Sequence, residues 1–191
     1  VFFGMLIGII VALARLSDFK ILRWLGNVYV DFIRGTPLLI QIFLVYFALP
    51  SIIGSRVDAF FAAISACSIN SGAYVAEVFR GGIQSIDVGQ MEAGRSLGLN
   101  YSDTMRFIVV PQAIKAILPA LGNEFIVLLK ETSVAGYVAI QDLTYIGNLI
   151  RSRTYEAFFP LITIALIYLA IVMILSYLLR KLERRLSKSE R

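Results

Sequence analysis

The chain has 191 residues, 58% of them hydrophobic, and a mean hydropathy of +0.78. Soluble domains are about 45–50% apolar, so this excess excludes an ordinary globular core and points to a chain that faces lipid. Only 16% of residues are charged, with a net charge of +5. There is no histidine, which excludes a histidine-based catalytic triad or zinc site.

In chain order, the uncharged stretches predict the crossings. Residues 1–14 carry no charge but are short for a full span, and no initiator Met precedes them, so the chain is expected to open inside a helix. A signal peptide is disfavoured there, since no basic segment precedes the stretch and no small-residue cleavage site follows it. Arg15, Lys20, Arg23 and Arg34 come next, and then an uncharged stretch over 35–55. A third span is predicted over 59–76. It contains the single cysteine, Cys67, which cannot form an intrachain disulfide and reads as a small core residue. The segment 77–106 is polar and carries Arg80, Arg95 and Arg106.

The fourth span, 107–130, is apolar but interrupted by Pro111, Lys115, Pro119 and Glu124. Proline removes a helix hydrogen bond and kinks the rod. Broken helices survive at membrane depth only when packed on protein or lining a wet cavity. This span is therefore expected to be central and substrate-facing. Lys115 is expected to face the cavity or to snorkel. The last span, 157–179, is uncharged and ends in Arg180, Lys181, Arg184, Arg185, Lys188 and Arg191. Spans one, two and five read as lipid-facing or packed by plain apolar contact.

Crossing a hydrocarbon core takes about 20 helical residues, and basic residues mark the cytoplasmic side. Together these predict a single all-α integral membrane domain over 1–191 with five transmembrane helices, N-terminus outside and C-terminus inside. The basic C-terminal run reads as a positive-inside anchor rather than a nucleic-acid patch or a specific anionic-lipid contact. The outer segment 132–156 carries Asp142, Tyr137, Tyr145 and Tyr155, and tyrosines suit a membrane interface.

Within the segment 77–106, residues 86–99 predict a short helix. Asp87 is its expected N-cap and Gly98 its terminating glycine. Met91, Ala93 and Leu97 supply apolar contacts, and Glu92 and Arg95 supply charge. No G-x-x-x-x-G-K-[ST] occurs anywhere, and Gly94 to Gly98 lacks the lysine that would hold a phosphate. The chain is therefore expected not to hydrolyse ATP itself and to be no enzyme.

The spacing Glu92-Ala93-Gly94, Gly98, Ile108 and Val110-Pro111 resembles the loop of bacterial binding-protein-dependent ABC permeases. That family's pattern is Glu-Ala-Ala, three residues, Gly, nine residues, Ile, one residue, Leu-Pro. Gly94 stands for its second alanine and Val110 for its leucine. Arg34-Gly35-Thr36-Pro37, residues 73–83 and residues 129–133 resemble the polar amino acid branch (histidine, glutamine, arginine and opine permeases), so the likeness covers 34–142 at least. It implies the five-helix fold of type I (MetI-like) ABC importers with a cytoplasmic coupling helix, in a bacterial inner membrane. Asp87, Met91, Glu92, Ala93, Gly94, Arg95, Leu97 and Gly98 are then the ATPase-coupling residues. It also implies two ATP-binding subunits, which hold ATP and Mg so that this chain needs no cofactor, a pair of permeases, alike or different, and an extracytoplasmic solute-binding protein; a homodimer is the favoured pairing, since each chain is read as carrying a full cavity.

Intramembrane ionisable groups are costly and usually functional. Asn70, Tyr74 and Glu77 fall on one helical face, as do Glu124 and Glu131, with Asn123 and Lys130 on the adjacent face. Asn70, Tyr74, Asn123, Glu124, Glu131, Thr132 and Ser133 are the expected substrate residues. Asn123, Thr132 or Ser133 would take a carboxylate, and Glu124 or Glu131 a cation. Two acids in one cavity favour a basic amino acid such as arginine, lysine or histidine. A structural reading competes at two places. Glu77 pairs with Arg80 at the membrane boundary in the favoured reading, and Lys130 with Glu131 in an equally weighted one. The main alternative function is an ion-coupled secondary transporter of polar solutes. The short chain, the lack of an internal repeat and the docking loop count against it. A channel or scaffold is disfavoured by the proline-broken, charged fourth span.

Overall fold

A computed structural model of the chain describes residues 1–138 and 140–187, without the side chains of 185–187. Lys188 and Arg191 of the basic C-terminal run lie outside the described residues. Every regular element among the described residues is helical.

Helix α1 (Phe2–Leu16) lies along α4 (Ala59–Gln84) through its small residues. Gly4, Gly8 and Ala12 fall on one face and are buried. A Cβ at Gly4 would lie 2.8 Å from the Ser71 Cβ, and one at Gly8 would collide with Val75. Such small-residue stripes let helices approach closely where lipid supplies no hydrophobic drive between them. Asp58 caps α4, its carboxylate accepting from the amides of Phe60 (2.9 Å) and Phe61 (3.1 Å). The helix runs on to Gln84, two turns past the predicted end at residue 76, so residues 77–84 are helix rather than loop.

Helix α2 (Lys20–Arg34) meets α3 (Leu38–Ile53) at 102°, across Gly35, Thr36 and Pro37. Pro37 lacks an N–H and disfavours helical geometry in the residue before it. Gln41 repairs the break. Its Nε2 donates to the carbonyls of Ile33 (2.8 Å) and Thr36 (3.1 Å), and its Oε1 accepts from the Asn70 amide (3.1 Å). The predicted span 35–55 is thus the outgoing arm of an elbow.

Helix α5 (Val88–Ser96) is short and leads through Leu97–Asn100 to α6, a continuous helical rod over Tyr101–Val138. Helices α7 (Leu143–Thr154) and α8 (Phe158–Ser187) complete the chain. Two π-helical turns, Leu44–Ala48 and Met105–Val109, each end two residues before a proline, Pro50 and Pro111. A proline cannot donate to the carbonyl four residues back and its ring crowds it, and widening the turn relieves that crowding. The predicted interruption of the fourth span takes this form at Pro111, while Pro119 sits inside an unbroken α-helical stretch, Val110–Glu131.

Glycines set the remaining contacts. A Cβ at Gly82 would collide with Ile117 of α6, at Gly122 with Leu179 of α8, and at Gly147 with Ile164 of α8. Helix α4 is central, holding α1, α2, α3 and α6. None of the most apolar window of α8 is buried, as expected for a helix facing lipid. Among the described residues, three helices are long and apolar enough to cross a membrane: α4, α6 and α8. The bent pair α2–α3 makes a fourth, and α1 is apolar but short. By length and composition the count is therefore three or four, against the expected five.

Candidate functional site

Helix α5 forms with the predicted cap and stop. Asp87 caps α5, its carboxylate accepting from the Gly89 amide at 2.7 Å. Gly98 has φ +88, the left-handed conformation that favours glycine, and the Leu99 amide donates back to the Gly94 carbonyl at 3.2 Å. Gly94 is the one buried residue of the helix. A Cβ there would stand 2.5 Å from Thr104 Cγ2 and 2.9 Å from Ile108 Cδ1. The exchange of the pattern's second alanine for Gly94 therefore has a packing reason. Gln112 ties the helix to α6, donating to Gln90 Oε1 (3.3 Å) and to the Ile108 carbonyl (2.9 Å).

With Gly94 turned inward, Glu92, Ala93, Arg95 and Leu97 are exposed, and Met91 is half-buried. Leu97 is 82% exposed and Val88 70%. Apolar side chains presented on a short, well-capped helix make a surface that a partner can cover.

The intramembrane candidates divide into three settings. Asn70 is 3% exposed and bonded to Gln41, so it braces the α2–α3 elbow rather than standing open to a ligand. Tyr74 packs its ring under the Arg34 guanidinium, 5.3 Å from its centroid. On α6, Glu124 and Glu131 are half-buried and share one face, two helical turns apart. Asn123 and Thr132 are exposed, Thr132 donating to the Leu129 carbonyl at 2.8 Å, and Ser133 is half-buried. Lys130 forms no ion pair with Glu131 among the described residues.

Glu77 belongs to a different arrangement. Its Oε1 lies 3.2 Å from Arg15 Nη1 and 3.3 Å from Arg34 Nη1, while its Oε2 lies 2.7 Å from Arg80 Nη2. One carboxylate thus gathers arginines from α1, α2 and α4. The Glu77–Arg80 pair expected from the i, i+3 spacing is present. Arg15 and Arg34 were not anticipated as its partners, because nothing local in the sequence joins them to residue 77.

A cavity of about 590 Å³ is lined mainly by apolar groups, among them Phe2, Phe60, Phe125 and Tyr168. Of the expected substrate residues only Thr132 lines it. The polar face of α6 lies elsewhere.

This combination defines a helical membrane protein that presents a short, capped helix with exposed apolar side chains and carries two acids on one face of a span. The chain matches, over residues 4–188, the family described as binding-protein-dependent transport system inner membrane component, and it belongs to that family. It is a transport component rather than an enzyme. The probable glutamine ABC transporter permease protein GlnM of Bacillus subtilis (strain 168) is 47% identical over 183 residues, covering 96% of this chain and 84% of its own length. The arginine transport system permease protein ArtQ of the same organism is 39% identical over 187 residues, covering 98% and 85%. The glutamine transport system permease protein GlnP of Escherichia coli (strain K12) is 39% identical over 184 residues, covering 96% and 84%. A crystal structure of an amino acid ABC transporter with histidines superposes with a TM-score of 0.91 at 47% identity, over 96% of this chain and 86% of that one. The MetNI methionine ABC transporter in inward-facing conformations superposes at 0.77 and 20% identity, over 97% and 88%. That likeness shows the fold, which is the MetI-like fold of type I importers.

Proposed function

We propose that this chain is the permease through which an ATP-driven importer carries amino acids across a bacterial inner membrane, with basic amino acids favoured. The observation that carries the reading is the pair Glu124 and Glu131, half-buried on one face of a membrane-spanning helix, two turns apart. Two acids on one face of a membrane-spanning helix, each partly withdrawn from water, favour a cation beside them. The relatives named for glutamine and arginine transport support an amino acid as substrate.

In this reading Glu124 holds the cationic group, Glu131 assists, and Asn123, Thr132 or Ser133 takes the α-carboxylate. Of the remaining sequence candidates, Tyr74 shapes the wall, and Asn70 braces the elbow behind it. Helix α5 seats in a cleft of an ATPase, and two such subunits hold ATP and Mg. A solute-binding protein delivers substrate from outside. The exposed Asn123 and Thr132 suit a second copy of this chain closing the path, as a homodimer. Five crossings, with α1 completing the set and the C-terminus inside, belong to the same proposal.

The test is Glu124→Ala in vesicles that contain the permease, its ATPase and the binding protein. Arginine uptake is expected to fall about tenfold or more, the loss of one charge-assisted contact, while the ATPase still co-purifies. Unchanged apparent affinity for arginine would overturn the substrate assignment. Uptake that persists without ATP and collapses with the ion gradient would overturn the ATP-driven reading.

A further inference from the structure

Helix α2 carries three distinct faces. Gly26, Val30 and Ile33, spaced i, i+4 and i+7, are buried. Ile21, Leu25, Val28 and Phe32 form a second face at the same periodicity, and they are 75%, 51%, 45% and 62% exposed. Lys20, Arg23, Asn27, Asp31 and Arg34 form the polar strip that completes the wheel. Trp24, 62% exposed, stands at the border between that strip and the open apolar face.

Two features place this helix against a surface rather than across one. It turns 102° from the outgoing arm α3, so the two cannot both run along a membrane normal. It also leaves α1 at the end marked by Arg15 and is pinned there: Arg15 Nε donates to Asn27 Oδ1 at 2.8 Å, and Arg34 reaches Glu77. A helix with an open apolar face, a polar strip and a boundary tryptophan lies in the headgroup plane with its apolar side among the acyl chains. Lys20 and Arg23 are exposed and form no ion pair among the described residues, so two full cations stand free on the strip. They complement a negatively charged headgroup layer. Helix α1 likewise exposes apolar side chains, Ile10 at 68% and Leu13 at 64%.

We propose that α2 is an interfacial helix that lies on the inner leaflet and binds anionic phospholipid through Lys20 and Arg23, with Ile21, Leu25, Val28 and Phe32 among the acyl chains. The elbow at residues 35–37 then joins a membrane-parallel anchor to a crossing. The inference does not depend on the substrate assignment.

Trp24 is the only tryptophan among the 191 residues, so its fluorescence reports on this helix alone. The chain is reconstituted in phosphatidylcholine vesicles containing one lipid brominated either near the headgroup or near the chain end. In a second arm the brominated lipid is either phosphatidylglycerol or phosphatidylcholine at equal mole fraction. Shallow bromines are expected to quench Trp24 more than deep ones, and brominated phosphatidylglycerol more than brominated phosphatidylcholine. In K20Q/R23Q the depth profile is expected to persist while the anionic preference falls, by up to about fivefold for each charge removed, as about 1 kcal/mol per basic residue implies. Both substitutions are at exposed side chains, and the wild-type arms stand without the variant. No quenching by any brominated lipid would mean that a protein surface covers α2 and would overturn the proposal. So would stronger quenching from the chain ends. Equal quenching by the two headgroups in the wild type would overturn the anionic assignment.

Discussion

Gly94 and Thr104 are packed so closely that a single methyl group at residue 94 would stand 2.5 Å from Thr104 Cγ2. Thr104 is fully buried, and its hydroxyl donates to the Asn100 carbonyl at 2.9 Å, so it has little room to retreat. The seating of α5 on α6 depends on this contact. Gly94→Ala sets two effects against each other. Replacing glycine within a helix gains up to about 1 kcal/mol, while overpacking costs roughly 1–3 kcal/mol. The clash is expected to win, lowering the melting temperature of the purified protein. Thr104→Ser removes Cγ2, and the double variant G94A/T104S is expected to recover most of the loss. Strict additivity of the two changes would refute the account.

Gly98 closes α5 with φ +88. A residue with a Cβ pays about 1–2 kcal/mol there, least for asparagine. Gly98→Val is expected to fray the helix end and reduce ATPase co-purification, with Gly98→Asn intermediate. No Cβ at residue 98 would touch other atoms, so any effect reports backbone conformation rather than crowding.

The arginines around Glu77 are unequal. The Arg15 side chain is 9% exposed, against 43% for Arg34 and 33% for Arg80. Glu77→Gln strands the buried Arg15 and is expected to destabilise the protein by about 3 kcal/mol, as breaking a buried pair from one side does. Arg34→Ala and Arg80→Ala are expected to cost about 1 kcal/mol or less. Unfolding monitored by circular dichroism in graded SDS ranks the variants. A larger loss for Arg80→Ala than for Glu77→Gln would contradict the geometry.

Gln41→Leu takes a donor from the Thr36 carbonyl and strands the buried Asn70 amide, while the Ile33 carbonyl keeps the Thr36 hydroxyl at 3.3 Å. The expected loss is about 1–3 kcal/mol, the penalty for a buried group left unsatisfied. Asn70→Leu is expected to cost less, because Asn70 Oδ1 already lacks a partner. A reversed order in thermal unfolding would show that the amide network is not what holds the bend.

Much of this architecture is legible in the residue pattern. Uncharged runs and flanking arginines mark where α3, α4 and α8 lie, the sidedness of the basic residues requires a further crossing where α6 lies, and the Asp87 cap and Gly98 stop bracket α5 because caps and left-handed glycines are local chemistry. The glycine-rich contacts were less visible. Gly82, Gly122 and Gly147 matter only for what faces them across a helix pair, and nothing nearby in the chain names Ile117, Leu179 or Ile164. The same holds for Asn70, which shares a helical face with Tyr74 but is held by Gln41 at the elbow. Helix α7 hid in a segment expected to be merely an outer tyrosine-bearing connection. The π turns had a signal that was passed over, a proline just beyond each one.

The order of residues along the chain gives the Glu77 junction a role in biogenesis. Chains emerge N-terminus first, so Arg15 and Arg34 leave the ribosome well before Glu77. While the orientation of the first helices is being decided, both arginines are bare charges at full strength for the positive-inside bias. Only when α4 follows does one carboxylate arrive to bind them together. The same guanidiniums thus act first as signposts for topology and afterwards as rivets between helices, and the timing separates the two duties.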